Sequence, residues 1–268
     1  MSDLKIAVVG GAGRMGQTLV RLAQQTAGLK VTSATESKGH PSIGDDLGAL
    51  TGLGALGVTL SDDPEHAFKL ADAVIDFTTP AATLRHAEIA AARKLIYVIG
   101  TTGISESDEQ AIVKASEHAT IVKASNMSLG INLLVQLTKT VAEVLDVDFD
   151  IEIMEMHHRL KVDAPSGTAL MLGEAAAKGR GVKLGDVAER GRDGHTGERA
   201  PGQIGFAALR AGSVVGEHKV IFAADHERIE LGHIAEDRAI FARGALKAAL
   251  WARNQPAGLY SMADVLGF

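Results

Sequence analysis

One short segment, residues 155–168, concentrates side chains that can exchange protons and bind anions. It reads Glu-Met-His-His-Arg-Leu-Lys-Val-Asp-Ala-Pro-Ser-Gly-Thr, so two imidazoles, two cations and a predicted helix start fall within fourteen residues. Lys161 supplies a point charge that can bind an anion or donate a proton. The helix predicted to begin near Pro165 would offer its first N–H groups and the Thr168 hydroxyl to a carboxylate. The segment therefore predicts a site for an anionic substrate.

The adjacent histidines of this segment also have a simpler interpretation. Neighbouring side chains diverge on a strand, and the chain has neither a thiol nor a His-Glu-x-x-His motif, so a packed or solvated pair is favoured over a metal site. Lys161 taken singly is more often a solvated surface residue. The apolar residues occupy every second position up to Ile153 and then shift by one position. This shift predicts a bulge that places His157 on a polar side at the strand's end.

A glycine turn near the start of the chain predicts dinucleotide binding. Residues 10–16 read Gly-Gly-Ala-Gly-Arg-Met-Gly, in which Gly11, Gly13 and Gly16 fit the G-x-G-x-x-G spacing. The helix that follows would direct its N–H groups and positive dipole end at a pyrophosphate. A turn that only reverses the chain is the alternative. The strand before, the helix after and Glu36, twenty positions beyond Gly16, favour the nucleotide.

The residues around Glu36 bear on the choice between NAD and NADP. Glu36 at a strand end can accept hydrogen bonds from the ribose hydroxyls, which favours NAD. Arg14 and Lys38 can each meet a 2′-phosphate, so we expect the chain to use both NADH and NADPH. Two later strand ends, 76–79 and 100–103, would face the same crevice, although ordinary turn chemistry explains their glycine and hydroxyl residues nearly as well.

The elements that must position these residues fall into two predicted domains. β-Branched runs alternate with helical stretches through residue 127, which predicts an α/β fold with a doubly wound, parallel Rossmann-type sheet. The predicted strands are 5–9, 30–35, 73–77, 96–99 and 120–123, and the predicted helices are 17–25, 81–94 and 106–117. We expect residues 1–127 and 238–268 to form this dinucleotide-binding domain.

Residues 128–237 are predicted to form a smaller α+β domain for substrate binding and oligomerisation. A helical apolar stripe spans 131–145, and strands at 149–156, 204–210, 214–220 and 227–233 predict a mixed or antiparallel sheet. The polar stretch 178–205 holds eight glycines and four arginines, which is typical of a functional or interfacial loop or of a mobile surface excursion. A helical pattern returns at 238–251.

The composition of the chain limits the kinds of molecule that it can be expected to bind. With 46% hydrophobic and 22% charged residues the chain has the composition of a soluble globular protein, and its net charge of −6 gives no attraction to nucleic acid or anionic membranes. The absence of cysteine excludes disulfides and thiol nucleophiles. No apolar stretch approaches the roughly 18 residues of a membrane span, and no basic leader is visible. We therefore expect a cytoplasmic protein that binds a small molecule.

Five strings of residues together resemble one family. They occupy 157–169, 13–16, 76–78, 98–103 and 194–199, and the resemblance runs nearly end to end. The chain resembles the 4-hydroxy-tetrahydrodipicolinate reductases, also called dihydrodipicolinate reductases. The resemblance implies reduction of a small dicarboxylate by NADH or NADPH, with loss of water, in the diaminopimelate route to lysine. It also implies a cytoplasmic homotetramer.

The resemblance also implies roles for individual residues. His157 and Lys161 would donate a proton or stabilise charge, and no metal is implied. The substrate carboxylates would be held by His158, Gly167 and Thr168. The pyridine nucleotide would contact Gly10, Gly11, Ala12, Gly13, Arg14, Met15, Glu36, Gly100, Thr101, Thr102, Ala124, Ser125, Asn126 and Met127.

Two positions depart from the family pattern, and two other functions stay open. Ser37 follows Glu36 where many relatives have an arginine, and Met127 stands where relatives often have an aromatic residue. A different nucleotide-dependent dehydrogenase could act on another small dicarboxylate. A nucleotide-sensing regulatory protein with a degraded site is the other alternative, and the intact run 157–168 argues against it.

Overall fold

A computed structural model describes residues 2–268, which divide into two compact units. The first comprises Met1–Leu129 with Ala239–Phe268, and the second comprises Gly130–Arg238. In chain order the elements are β1 (Leu4–Val9), α1 (Arg14–Gln25), β2 (Leu29–Thr35), α2 (Leu47–Thr51), β3 (Leu60–Ser61), α3 (Pro64–Lys69), β4 (Ala73–Asp76), α4 (Pro80–Arg93), β5 (Ile96–Ile99), α5 (Glu106–Ser116), β6 (Thr120–Lys123), α6 (Leu129–Val144), β7 (Asp150–His157), α7 (Gly167–Gly179), α8 (Leu184–Val187), β8 (Ala188–Glu189), β9 (Ile204–Arg210), β10 (Gly216–Ala224), β11 (Glu227–Ala235), α9 (Ala239–Ala252), β12 (Gly258–Tyr260) and α10 (Met262–Leu266).

The first unit is built on a parallel sheet of seven strands in the order β12-β6-β5-β4-β1-β2-β3. Its central strands are buried on both faces, as a parallel sheet requires. Along β1, Ile6 and Val8 pack with α1 and α9 on one face, while Ala7 and Val9 pack with α3 and α4 on the other. The predicted doubly wound α/β fold is confirmed, and the carboxyl ends of β1, β2, β4, β5 and β6 share one edge.

Helix α9, from the C-terminal part of the chain, completes this unit by packing close to the sheet. Its buried face carries alanines and Gly244, and a Cβ at Gly244 would lie 1.7 Å from the Met127 carbonyl oxygen. Only glycine permits that approach, because the obstructing atom belongs to the backbone. The small side chains of α9 therefore let the helix complete the core of the first unit.

The second unit is a mixed sheet of five strands in the order β11-β10-β7-β9-β8. Strand β7 is antiparallel to β10 and parallel to β9. One face of the sheet packs on α6 and α7 around Ile151, Ile153, Val220 and Phe222. The prediction of a mixed or antiparallel sheet is confirmed in its mixed form.

The predicted bulge after Ile153 is wrong. Strand β7 pairs with β10 and β9 without a register shift, and its buried positions continue as Ile151, Ile153, Glu155 and His157. His157 therefore lies on the buried, helix-facing side of the sheet. The parity argument failed because the acid at 155 is buried with polar partners, whereas the apolar Met154 faces outward.

The other differences between the predicted and the observed helices and strands are local. The sequence patterns missed the short elements α2, β3, α3, β12 and α10, and also α8 and β8 within the polar stretch 178–205. Helix α7 begins at Gly167, two residues after Pro165, and strand β10 runs from Gly216 rather than from 214. Among the residues described, no helix has the length and apolar character needed to cross a bilayer.

Candidate functional site

The glycine turn joins β1 to α1 in the first unit, and two of its glycines are required by geometry. Gly10 has φ of +70°, which favours glycine. A Cβ at Gly16 would lie 2.1 Å from the Gly10 carbonyl oxygen. Gly13 is the N-cap of α1. The turn therefore brings bare backbone to the N-terminus of a twelve-residue helix, the arrangement that accommodates a pyrophosphate.

The Glu36 carboxylate lies against this turn. One of its oxygens accepts a hydrogen bond from Ala12 N at 3.3 Å, and the other accepts from Ser37 N at 2.9 Å. Each carboxylate oxygen can accept a further donor such as a ribose hydroxyl. The structure thus brings together the glycine turn and the acid that the sequence spacing paired with it.

Asp76, at the end of β4, is fully buried and forms the centre of a polar network. Its carboxylate accepts hydrogen bonds from Thr78 N at 2.8 Å, Thr78 Oγ1 at 2.6 Å and Tyr97 Oη at 2.6 Å. The ring Nδ1 of His86 lies 2.8 Å away. Burial would raise the pKa of Asp76, but the contacts with His86, Thr78 and Tyr97 outweigh it and lower the pKa below the 3.8 of an exposed aspartate.

The same network fixes the loop after β5, where cofactor contacts are predicted. The Thr101 hydroxyl lies 2.8 Å from the Thr83 hydroxyl and donates to Asp76 at 3.2 Å, so its side chain is buried inside the unit. A Cβ at Gly100 would lie 2.2 Å from the Phe77 ring. Thr102 is exposed. Thr101 can therefore meet a ligand through its backbone only.

The predicted contacts at 124–127 follow β6. Ala124 N donates to the Ile99 carbonyl oxygen at 3.2 Å, which ties this segment to the end of β5. Asn126 Oδ1 accepts from Ser128 N at 2.9 Å. The Met127 side chain is buried in the apolar core. At this position, where the sequence departs from the family pattern, only the backbone can face a ligand.

In the second unit, Glu155 on β7 is the centre of the segment that opened the sequence analysis. Its carboxylate is 1% exposed and accepts hydrogen bonds from Arg210 Nη1 at 2.8 Å and Nη2 at 3.0 Å. It also contacts His157 Nδ1 at 2.6 Å and accepts from Ser166 N at 3.1 Å. Burial would raise the pKa of Glu155, but Arg210 and His157 together lower it.

Ser166 links Glu155 to helix α7. Its hydroxyl caps the helix by accepting from Ala169 N at 3.1 Å and lies 3.0 Å from His218 Nε2. Burial lowers the pKa of His218 to about 4, so this ring is neutral at pH 7. Gly167 and Thr168 are the first two residues of α7, and a Cβ at Gly167 would meet open space. The cap therefore orients the amides of the predicted carboxylate cradle.

Lys161 and Asp163 form an ion pair in the loop between β7 and α7. The Lys161 ammonium lies 2.8 and 2.9 Å from the two oxygens of the Asp163 carboxylate, and this contact lowers the pKa of Asp163. Arg210 Nη2 donates to the Asp163 carbonyl oxygen at 2.6 Å. Next to this loop, His158 Nδ1 is buried, and none of the described residues hydrogen-bonds to it. Lys161 is thus partly buried and ion-paired with the exposed Asp163 rather than fully solvated.

Arg210 joins His157, Lys161 and the start of α7 into one cluster. Through Glu155 it is connected to His157 and the start of α7, and through Asp163 to Lys161. Sequence reasoning assigned no role to Glu155, Arg210 or His218. Glu155 could have been found from the alternation of buried positions along β7, but Arg210 lies 55 residues further along the chain and gives no local signal.

Within residues 2–268 no group of three or more His, Asp or Glu side chains is placed to hold a metal ion. A glycine turn at the edge of a parallel sheet, in a chain with a second α+β unit that carries a cluster of His, Lys, Arg and Glu side chains, is typical of the pyridine-nucleotide-dependent oxidoreductases. The fold and the site place the chain in this class.

Comparisons with known proteins identify the family. The family models of dihydrodipicolinate reductase match residues 4–127 with the N-terminal part and 130–266 with the C-terminal part. The chain is 59% identical to the 4-hydroxy-tetrahydrodipicolinate reductase of Chelativorans sp. (strain BNC1), covering 100% of this chain and 97% of the relative. It is 60% identical to that of Parvibaculum lavamentivorans, covering 99% and 98%.

A solved structure is similar over the full length. Dipicolinate-bound dihydrodipicolinate reductase from Paenisporosarcina sp. TG-14 superposes with a TM-score of 0.77, covering 98% of each chain at 21% identity, which supports the fold. The chain belongs to the dihydrodipicolinate reductase family, and the resemblance seen in the sequence is confirmed.

The Asp76 network leads to a stability prediction. Replacing Tyr97 with Phe removes one donor from a fully buried carboxylate, so we expect the free energy of unfolding to fall by about 1–3 kcal/mol. Urea denaturation followed by the fluorescence of Trp251, the single tryptophan, reports on the first unit. Tyr260→Phe, the only other tyrosine, is the control, and its partly exposed hydroxyl should cost less than about 0.5 kcal/mol. Equal losses in the two variants would contradict the role assigned to Asp76.

Proposed function

We propose that this chain reduces 4-hydroxy-tetrahydrodipicolinate to tetrahydrodipicolinate with NADH or NADPH, with loss of water, in the diaminopimelate route to lysine. One equivalent of reduced nucleotide and one proton are consumed, and oxidised nucleotide and water are released. The observation that carries the proposal is the Glu155-centred cluster, because it links a histidine, an ammonium and a helix start in a chain of this family. The cytoplasm is the proposed location.

The first unit is the proposed dinucleotide-binding domain. The bare glycine turn, whose backbone packs too closely at Gly16 for any side chain, leads into the N-terminus of α1 and fits a pyrophosphate, and the Glu36 carboxylate beside Ala12 fits a ribose. Gly100, Thr102 and the segment 124–127 would add contacts from the neighbouring strand ends, together with the Thr101 backbone. The bound nucleotide supplies a hydride; the protein's part is to orient it and to exclude water.

The second unit is the proposed substrate domain. A dicarboxylate would be held by Lys161 and His158 and by the amides that open α7 at Gly167 and Thr168, where the helix dipole favours negative charge. The buried His158 Nδ1, which lacks a protein partner among the described residues, supports a ligand here. A substrate carboxylate would compete with Asp163 for the Lys161 ammonium.

The proton chemistry is assigned to His157 and Lys161. Reduction of the conjugated imine builds negative charge on the substrate, and a positioned acid or cation must neutralise that charge. Lys161 supplies a fixed positive charge, and His157 supplies an imidazole oriented by Glu155. Both groups belong to the cluster tied together by Arg210.

The assay that tests the activity also tests cofactor use. We expect the protein to oxidise NADH and NADPH, followed at 340 nm, when freshly generated 4-hydroxy-tetrahydrodipicolinate is supplied. Because Glu36 suits a ribose while Arg14 and Lys38 suit a 2′-phosphate, the two values of kcat/KM should differ by less than about a hundredfold. No oxidation of either nucleotide would overturn the proposed function. A larger ratio would overturn only dual use.

The role of Lys161 is tested by Lys161→Ala. We expect kcat to fall by about 10² to 10⁴-fold, the range of a positioned acid. NADH affinity, measured by titration, should not change, because the proposed nucleotide contacts belong to the first unit. Lys183→Ala removes an exposed lysine from the same unit and should leave kcat within about twofold of the original. Near-normal turnover in Lys161→Ala would remove the lysine from the mechanism.

A homotetramer assembled through the second unit is also proposed. The face of its sheet away from α6 and α7 carries an apolar patch, defined as Met154, Met156, Leu209 and Ile234, in neighbouring rows across β9, β7, β10 and β11. Ile234 is 66% exposed and Leu209 45%. Glu217 lies in one of these rows and Lys219, which is paired with Glu230, lies in the other. An exposed apolar patch on a sheet face is suited to another copy of itself.

Light scattering after size exclusion tests this assembly. We expect four times the chain mass, and a smaller mass for Leu209→Asp with Ile234→Asp, because two charges would have to be buried. Val113→Asp, on an exposed helical position of the first unit, is the control and should keep the original mass. A monomeric original protein would refute the tetramer.

A further inference from the structure

Glu155 is a buried carboxylate, and its burial costs free energy unless polar partners replace its hydration. It lies on the face of β7 that also carries Ile151 and Ile153 in the apolar core of the second unit. An ionised carboxylate at such a place needs a cation and hydrogen-bond donors to offset its lost hydration. Arg210, His157 and Ser166 N supply four contacts between 2.6 and 3.1 Å. The carboxylate is therefore fixed in position and orientation.

We propose that Glu155, held by Arg210 and by the Ser166 amide, is a positioning residue that keeps His157 in the tautomer protonated at Nδ1, so that Nε2 is the ring atom that exchanges protons. The inference rests on the proposed function and assigns the proton transfer to one atom. Glu155 itself does not meet the substrate; it acts through the imidazole.

The tautomer follows from the chemistry of the contact. An ionised carboxylate can only accept hydrogen bonds, so the 2.6 Å contact with His157 requires Nδ1 to carry the proton. Arg210 keeps Glu155 in that acceptor state, because its guanidinium bonds both carboxylate oxygens. In the neutral ring Nε2 then has the lone pair, and in the charged ring it has the second proton.

The surroundings of His157 agree with a role for Nε2. No described residue hydrogen-bonds to this nitrogen, and the residue beside it is Gly216, at the start of β10. A Cβ at Gly216 would lie 3.1 Å from Nε2, so any larger residue would crowd the atom. The neutral His218 ring lies edge-on at 5.1 Å and is held by Ser166. The orientation of His157 is therefore fixed on the Nδ1 side, and a glycine rather than a side chain lies next to Nε2.

The first test reads the tautomer directly, without turnover. Long-range ¹H–¹⁵N spectra of the full-length protein at neutral pH distinguish protonated from unprotonated ring nitrogens, and the His157 signals are identified by their absence in His157→Gln. We expect Nδ1 protonated in the original protein and loss of this single tautomer in Glu155→Gln, because the amide offers a donor as well as an acceptor. A ring protonated at Nε2 only in the original protein would overturn the proposal.

The second test separates positioning from folding. Glu155→Gln should lower kcat by about 10² to 10⁴-fold, with a much smaller change in KM, since substrate binding groups are retained. Glu152→Gln is the matched control: Glu152 lies on the same strand, is paired with two arginines and faces away from His157. Its kcat should stay within about twofold. A Glu155→Gln protein with normal kcat, or one that keeps a single Nδ1-protonated ring, would overturn the proposal.

Gly216→Ala covers the case in which Glu155→Gln does not fold. It leaves the contact between Glu155 and His157 intact but crowds Nε2, so we expect the tautomer to be retained and kcat to fall by at least tenfold. Retained tautomer with unchanged kcat would show that Nε2 is not the exchanging atom. If the original protein fails to reduce the substrate at all, the proposed function is refuted, whereas the tautomer measurement still decides the geometry.

Discussion

The ion pair between Glu155 and Arg210 is the constraint on which the second unit's polar cluster depends. A charge buried in an apolar core is tolerated only when a partner and donors replace its hydration. By meeting that requirement, Arg210 also fixes what surrounds the carboxylate: His157 on one oxygen and Ser166 N, at the start of α7, on the other. The same guanidinium holds the Asp163 carbonyl and with it the loop that carries Lys161. One electrostatic requirement thus determines the positions of the His157 ring, the loop that carries Lys161 and the start of α7.

The first unit also contains a buried carboxylate, at the end of β4. Asp76 is buried and contacts Thr78, Thr83, His86, Tyr97 and Thr101, all of them from the same unit. Here the carboxylate holds no proposed catalytic group. It ties together the two loops that follow β4 and β5 at the carboxyl edge of the sheet and keeps the Thr101 side chain buried. A buried carboxylate therefore organises each unit: Glu155 holds the cluster with the proposed catalytic groups, and Asp76 holds the loops after β4 and β5.

The contacts around Glu36 and Glu155 and the membership of the family support the same activity, the reduction of a small dicarboxylate by a pyridine nucleotide. The glycine turn lies beside Glu36, where we propose that a dinucleotide binds, and the cluster around Glu155 joins the groups that we propose for substrate binding and proton transfer. Membership in the dihydrodipicolinate reductase family supplies the identity of the substrate, which charge and geometry leave as a small dicarboxylate.

The sequence alone determined the parallel sheet, the glycine turn with Glu36, the helix start at Gly167 to within two residues and the strands at 96–99 and 204–210, because these depend on local periodicity and turn chemistry. It misplaced His157 by predicting a bulge in β7, and it did not show that the side chains of Thr101 and Met127 are buried, which leaves only their backbone for the predicted cofactor contacts. Those outcomes depend on hydrogen bonds and packing between residues far apart in the chain. Only the folded structure decides that Arg210 meets Glu155 and thereby makes an acid acceptable at a core position.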